Sequence, residues 1–440
     1  PEVLRSAPLT LRARYDLGRQ RHDHRFVDTP GGIGCYLSHC AAWKRILEAG
    51  WPGALVCEDD IRMTPGTSQE SILHAVSAAG RASLADSSRA WMLLLCWSRT
   101  HVSRSAIRSA VHARLPVIRF TNLFTSPACY YITAEACRSL LQRAFPLEAH
   151  IDAFIGMLAY LDSLQENGFR LYACPGKLFE HDYGLPSAIK HGEGTECRNA
   201  PRSWEVRFGR HWWYRKLNGG GSWPDHVEAV GDFCLPVNVE TGRAGGMADG
   251  LGDIAVFILQ PSGSAPNAAT RVRNVNELVG AVAVQWVDPA SGRDVIPISE
   301  RALYDLGRPR LDNRMIATMD GVNRFMLHRK AWRLVAENTQ IDGALIAEPC
   351  GLADILQSAM PLSDQVEELK ERARVPAFVL EMTGPDDLRA YYLSRDAAKR
   401  LYESASCVEV TVEAHVAMYA EVHQSDFVIN ETRSSGNHAR

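Results

Sequence analysis

Three consecutive carboxylates, Glu58-Asp59-Asp60, stand at the end of the apolar run Gly53-Ala54-Leu55-Val56-Cys57. Acids crowded at the mouth of a strand repel one another and lose hydration, at a cost on the order of a few kcal/mol unless a cation or hydrogen-bond donors compensate. A hard divalent ion carrying a diphosphate would compensate well. In an extended chain alternate residues face one side, so Glu58 and Asp60 are expected to point together. Asp59 is then directed away, toward a sugar hydroxyl or backbone amides. The plainer reading is a solvated turn whose acids cap the next element.

The elements that must position these acids read as α/β. The stretch Gly34 to Gly50 carries apolar residues at helical spacing and ends on a glycine suited to stop it. Gly53 to Cys57 is a continuous apolar run, which predicts a strand buried on both faces, and Trp91 to Trp97 reads the same way. Cys129 to Thr133 reads as another strand, followed by a helix from Ala134. Strands alternating with helices predict a mostly parallel sheet with ligands beyond the carboxyl ends of its strands.

The chain also writes much of this twice. Tyr15-Asp16-Leu17-Gly18-Arg19 returns as Tyr304-Asp305-Leu306-Gly307-Arg308, and the same gapless alignment sets His39 on His328 and Trp43 on Trp332. Gly53-Ala54-Leu55-Val56 returns as Gly343-Ala344-Leu345-Ile346, and Cys129-Tyr130-Tyr131 as Ala390-Tyr391-Tyr392. A tandem repeat of a whole domain is expected, with domains at 1–225 and 251–440 and a glycine-rich linker at 226–250. The second copy keeps apolar positions and changes polar ones. Glu58-Asp59-Asp60 becomes Glu348-Pro349-Cys350, Asp152 becomes Glu413, and Ser38 becomes Leu327. Residues 253–294, which read as strand, loop, helix and strand, have no counterpart before the first copy, so its first strand unit is expected to precede Pro1 or to come from elsewhere.

Bulk properties narrow the partners. The 440 residues are 46% hydrophobic and 22% charged with a net charge of −3, an ordinary globular composition. Nothing suggests a polyanion-binding surface, so nucleic acid is not an expected partner. No apolar run reaches the roughly 18 residues that span a bilayer, and the first residues carry no signal-peptide core. The expectation is a cytoplasmic protein without a transmembrane segment. The 11 cysteines stand singly, which suits buried free thiols in a reducing compartment better than a disulfide framework.

The block from Gly31 to Ile61, with Ile33-Gly34-Cys35, Ser38-His39 and Trp43 ahead of the acidic strand end, resembles glycosyltransferase family 25, the lipooligosaccharide and collagen galactosyltransferase group. Cys129 to Leu141, the segment around Asp152 and Leu178 to Gly192 resemble that family's later blocks. The resemblance implies two GT-A-like domains, the second degenerate, and inverting transfer of galactose or glucose from a UDP-sugar. The acceptor would be a hydroxyl on a glycan, a lipid-linked sugar or a protein. It also implies Mn²⁺ or Mg²⁺, held by Asp60 and Glu58 with His181 or Asp182. Ser38 and His39 would open a helix near the donor and contact it together with Glu58 and Asp59. Asp152 is the candidate for the base that takes the acceptor proton, with Asp59 the second candidate catalytic carboxylate. One departure is Gly32, where the family carries glutamate. The alternative is a sugar-binding or scaffold protein derived from a duplicated transferase.

Overall fold

The computed structural model describes residues 7–18, 27, 29–97, 99–100, 104–121, 123–165, 168–181, 254–259, 284–287, 296–307, 315–348, 375–381 and 388–431. The expected linker at 226–250, Asp182, Pro349 and Cys350 lie outside them. The chain falls into two compact units. Unit 1 holds Pro1–Pro8 and Leu17–Cys234, and unit 2 holds Leu9–Asp16 and Leu235–Arg440. The short helix α1 (Leu11–Asp16) therefore groups with unit 2, although its sequence belongs to the first of the two repeated blocks.

In unit 1 the order is α2 (Pro30–Glu48), β1 (Gly53–Cys57), β2 (Ile61–Met63), α3 (Gln69–Ala85), β3 (Trp91–Cys96), β4 (Arg99–Thr100), α4 (Arg104–His112), β5 (Ile118–Phe120), β6 (Phe124–Thr125), β7 (Cys129–Thr133), α5 (Ala134–Arg143), α6 (Ile151–Leu161), β8 (Arg170–Ala173) and β9 (Phe179–His181). Helix α2 starts because Thr29 caps it, accepting from Gly32 N at 3.1 Å, and Pro30 supplies a preset φ at the first helical position. Its buried face is Ile33, Tyr36, His39, Cys40, Trp43 and Ile46, spaced as one helical stripe. The main sheet runs β1-β7-β3-β8-β5. Strand β3 is buried at all its positions, as its unbroken apolar run predicts.

In unit 2 the order is β10 (Ile254–Leu259), β11 (Val284–Val287), α7 (Glu300–Asp305), α8 (Met319–Glu337), β12 (Gly343–Ala347), β13 (Phe378–Glu381), β14 (Ala390–Ser394), α9 (Arg395–Ser404), α10 (Val412–Val422) and β15 (Val428–Glu431). Its sheet runs β11-β10-β12-β14-β13-β15. Thr318 caps α8 as Thr29 caps α2, accepting from Gly321 N at 3.2 Å. Helix α1 carries two buried charged residues into this unit: Arg12 N donates to Glu409 Oε2 at 3.4 Å, and Asp16 pairs with Arg301 at 3.5 Å.

Three expectations change. Both sheets are mixed: among the described residues of unit 1 only β3–β8 pairs parallel, while β1–β7, β3–β7 and β5–β8 run antiparallel, whereas in unit 2 β10–β11, β10–β12 and β13–β15 are parallel and β12–β14 and β13–β14 antiparallel. Hydrophobic runs report burial, not strand direction, so the sequence pattern could not separate the two arrangements. Strand β1 is not buried on both faces, since Leu55 is 44% exposed and Cys57 is exposed. It ends the described sheet of unit 1, whereas its counterpart β12 is flanked by β10 in parallel and β14 in antiparallel and is buried throughout. Finally, Ser38 and His39 do not open a helix. The helix begins at Pro30, where the Thr-Pro start places the first turn, and both residues sit in its middle.

The glycine that opens each acidic strand has a steric cause. A Cβ at Gly53 would collide with the Tyr131 hydroxyl and sit 2.8 Å from Ile132 O on β7. A Cβ at Gly343 would collide with the Tyr392 hydroxyl in the same way. The close approach of the neighbouring strand therefore demands glycine in both units.

Candidate active site

Strand β1 stops at Cys57, and Glu58-Asp59-Asp60 form the turn into β2. Glu58 is anchored by a backbone bond from its N to Ala128 O at 2.7 Å and faces α2. There its Oε1 lies 3.2 Å from His39 Nε2 and 3.9 Å from Cys35 Sγ. The other nitrogen of His39, Nδ1, is 2.7 Å from the Tyr130 hydroxyl, which also accepts from Trp43 Nε1 at 2.9 Å. Indole N–H can only donate, so the phenolic proton of Tyr130 is available to Nδ1, an arrangement in which Nε2–H donates to Glu58. His39 is thus buried behind the acid and orients it.

Asp60 turns toward a different partner. The short β2–β9 ladder sets Ile61 opposite His181, so His181 Nδ1 comes within 3.5 Å of Asp60 Oδ1. That oxygen is buried and receives no hydrogen bond among the described residues. His181 Nε2 hydrogen-bonds the Ser126 hydroxyl, and Ser126 N donates to Asp152 Oδ2 at 3.4 Å. Ser126 holds φ at 69°, a left-handed conformation uncommon for serine. Asp152 lies in the first turn of α6, with its Oδ1 2.7 Å from Ala153 N. The thiol of Cys35 reports how these acids converge. It is pushed up to about 12, first by burial and then by the negative charges of Glu58, Asp152 and Asp60.

The structure therefore sets Glu58, Asp60 and Asp152 within electrostatic reach of Cys35, with His39 against Glu58 and His181 beside Asp60. Asp59 is exposed at the turn and Ser38 is exposed on α2, outside these contacts. Asp182 is outside the described residues. Sequence reading missed Cys35, Ser126 and Tyr130. The Cys35-to-Arg324 exchange between the copies was a usable signal for the first, and the repeated tyrosine at 130 and 391 for the last. Nothing in the sequence marks the backbone conformation of Ser126.

The departure at Gly32 has a local reason. A Cβ there would run into the His150 ring, so the imidazole occupies the space a larger residue would need. In unit 2 the counterpart of His150 is Thr411, and a Cβ at Gly321 would meet only ordinary contacts, the nearest at 3.5 Å.

In unit 2 the same supporting chain appears, with an arginine added beside it. His328 Nδ1 meets Tyr391 at 2.8 Å, Trp332 Nε1 donates to Tyr391 at 2.8 Å, and His328 Nε2 is 3.3 Å from Glu348 Oε1. Where α2 carries Cys35, α8 carries Arg324. Its guanidinium donates to both Glu348 and Glu413, the counterparts of Glu58 and Asp152. Burial pushes Glu348 up, but His328 and Arg324 outweigh it and hold the carboxyl down at about 2. Burial holds His328 down, so its ring stays neutral.

Residues 17–155 match the family model of glycosyltransferase family 25 (LPS biosynthesis protein). The match lies within unit 1 and takes in Cys35, His39, Glu58, Asp60, Ser126 and Asp152. It supports glycosyltransferase activity, joining a sugar donor to an acceptor. No curated relative matches the chain. Among the described residues, no helix is long and apolar enough to cross a membrane.

Proposed function

We propose that unit 1 is a metal-dependent, inverting hexosyltransferase and that unit 2 is a degenerate copy, descended from a tandem duplication, that supports structure or acceptor binding. The observation that carries this reading is the exchange of Cys35 for Arg324. Unit 2 neutralises its two inward carboxylates with a built-in guanidinium, so the arrangement evidently favours a cation between them. Unit 1 keeps the carboxylates, adds Asp60 with a buried oxygen that makes no hydrogen bond among the described residues and has the His181 ring 3.5 Å away, and carries a protonated thiol in the arginine position. Carboxylates with an imidazole beside them are donor types that a divalent cation takes.

Asp60, Glu58 and His181 would hold Mn²⁺ or Mg²⁺, with Asp182 as a further candidate. When bound, the ion would offset the charge of a UDP-sugar diphosphate as the sugar leaves. His39 keeps one oxygen of Glu58 oriented. Ser126 holds His181 and Asp152 in fixed relation. Asp152 takes the proton of the acceptor hydroxyl as it attacks the sugar carbon opposite the departing diphosphate. Asp59, exposed at the turn, is the candidate contact to the hydroxyls of the transferred galactose or glucose.

Isothermal titration of UDP in the presence and absence of Mn²⁺ tests the reading. Metal-dependent binding that is lost in Asp60→Ala is expected. Absence of UDP binding with Mn²⁺ present would favour a non-catalytic scaffold.

A further inference from the structure

Cys57 and Cys129 stand directly opposite each other on the antiparallel strands β1 and β7, with their sulfurs 3.4 Å apart. The adjacent pair, Glu58 and Ala128, is joined by the backbone bond from Glu58 N to Ala128 O. Bonded and non-bonded pairs alternate along an antiparallel ladder, so Cys57–Cys129 is a non-bonded pair. Such pairs bring their Cα atoms to about 4.5 Å. A disulfide accepts Cα separations of roughly 4.4–6.8 Å. The two thiols also differ in access. Cys57 is exposed on β1, which ends the described sheet, and Cys129 is fully buried beside it on β7. The same register position in unit 2 holds Ala347 opposite Ala390. The strand pairing itself therefore needs no sulfur, and the two cysteines are present together in one unit and absent together in the other.

We infer that Cys57 and Cys129 form a reversible dithiol–disulfide site that reacts with a small-molecule disulfide such as oxidised glutathione. The exposed Cys57 thiolate attacks one glutathione sulfur, forming a mixed disulfide and releasing one reduced glutathione. Cys129 then gives up its proton and attacks the Cys57 sulfur, releasing the second reduced glutathione and closing the Cys57–Cys129 bond. Two electrons pass to oxidised glutathione, and two protein thiol protons leave with the two products. The bond would tie the residue immediately before Glu58 to the neighbouring strand. The inference stands on strand geometry and does not depend on the proposed transfer reaction.

The test is to incubate the full chain with oxidised glutathione, block remaining thiols, and map peptides by mass spectrometry without reduction. A Cys57–Cys129 linked peptide that dithiothreitol reverses is expected. Cys129→Ala should instead leave glutathione trapped on Cys57, and Cys57→Ala should leave Cys129 unmodified. Both variants place in unit 1 the residue unit 2 already carries there, so folding should survive. Glutathione remaining on Cys57 in the wild type, an unreacted pair, or a link from Cys129 to Cys96 would overturn the inference. Cys96 is the competitor because it meets Cys129 in register on β3.

Discussion

The guanidinium of Arg324 closes on Glu348 in unit 2, at the helix position where unit 1 has Cys35 opposite Glu58. The exchange of Cys35 for Arg324 separates a self-neutralised pair of carboxylates from one without a built-in cation. Arg324 and Glu348 are both largely buried, so removing the cation leaves a carboxylate without compensation.

Arg324→Met should therefore destabilise unit 2 by about 1–3 kcal/mol, the range for stranding a buried polar partner. Denaturant unfolding of the variant against the wild type checks this. A change within error would mean that the ion pair contributes nothing net.

The same pair sets a pH dependence. Glu348 titrates at about 2 in the fold against an ordinary 4.5, so its contribution is complete above 4.5 and is lost as pH falls from 4.5 toward 2. His415, held at about 4 by burial against an ordinary 6.5, acts in the same direction, its contribution being lost as pH falls from 6.5 to 4. Thermal melting of unit 2 should shift downward through this range. Arg324→Met should raise the acid limb toward the ordinary carboxylate value.

Cys35→Arg in unit 1 copies the second unit's solution into the first. The new guanidinium should pair with Glu58 and Asp152, leave the fold intact, and abolish Mn²⁺-dependent UDP binding. Calorimetry with circular dichroism as the folding control reads both effects. Unchanged UDP affinity would show that these carboxylates do not hold the metal.

Tyr130→Phe strands Trp43 Nε1 and His39 Nδ1, both buried, at a cost of about 1–3 kcal/mol. It also frees the ring that orients Glu58. Reduced stability together with weaker Mn²⁺ affinity is expected. A loss of stability alone would make the chain purely structural.

At Gly32 a side chain and the His150 ring compete for one space. Gly32→Ala should destabilise unit 1 by about 1–3 kcal/mol, as overpacking does. Adding His150→Ala should recover a measurable part, and a double-mutant cycle reads the coupling. Simple additivity would show that the two residues do not meet.

The helices beginning before Gly34 and at Ala134 were legible because their apolar stripes and caps are local. The Thr-Pro start of α2 lies before the stretch chosen from apolar spacing, so the helix begins earlier than expected. Strand direction was not legible, since β7 between β1 and β3 is decided by long-range pairing. Nor was the exposure of β1, which depends on what lies beside it and not on its own five residues. At the site, the repeated sequence separated what the fold needs from what it does not. Gly53 and Gly343 answer to the neighbouring strand, and His39 and His328 answer to a tyrosine and a glutamate. The left-handed Ser126 and the contact of Asp152 with it arise from chain segments meeting in space, and no local pattern encodes them.

The most direct test of the central claim is the release of UDP from UDP-galactose or UDP-glucose by the full chain with Mn²⁺, compared between wild type and Asp60→Asn. Metal-dependent release, abolished by a chelator and lowered about 10- to 100-fold in the variant, is predicted. Equal rates in the two proteins, or release indifferent to the chelator, would contradict it.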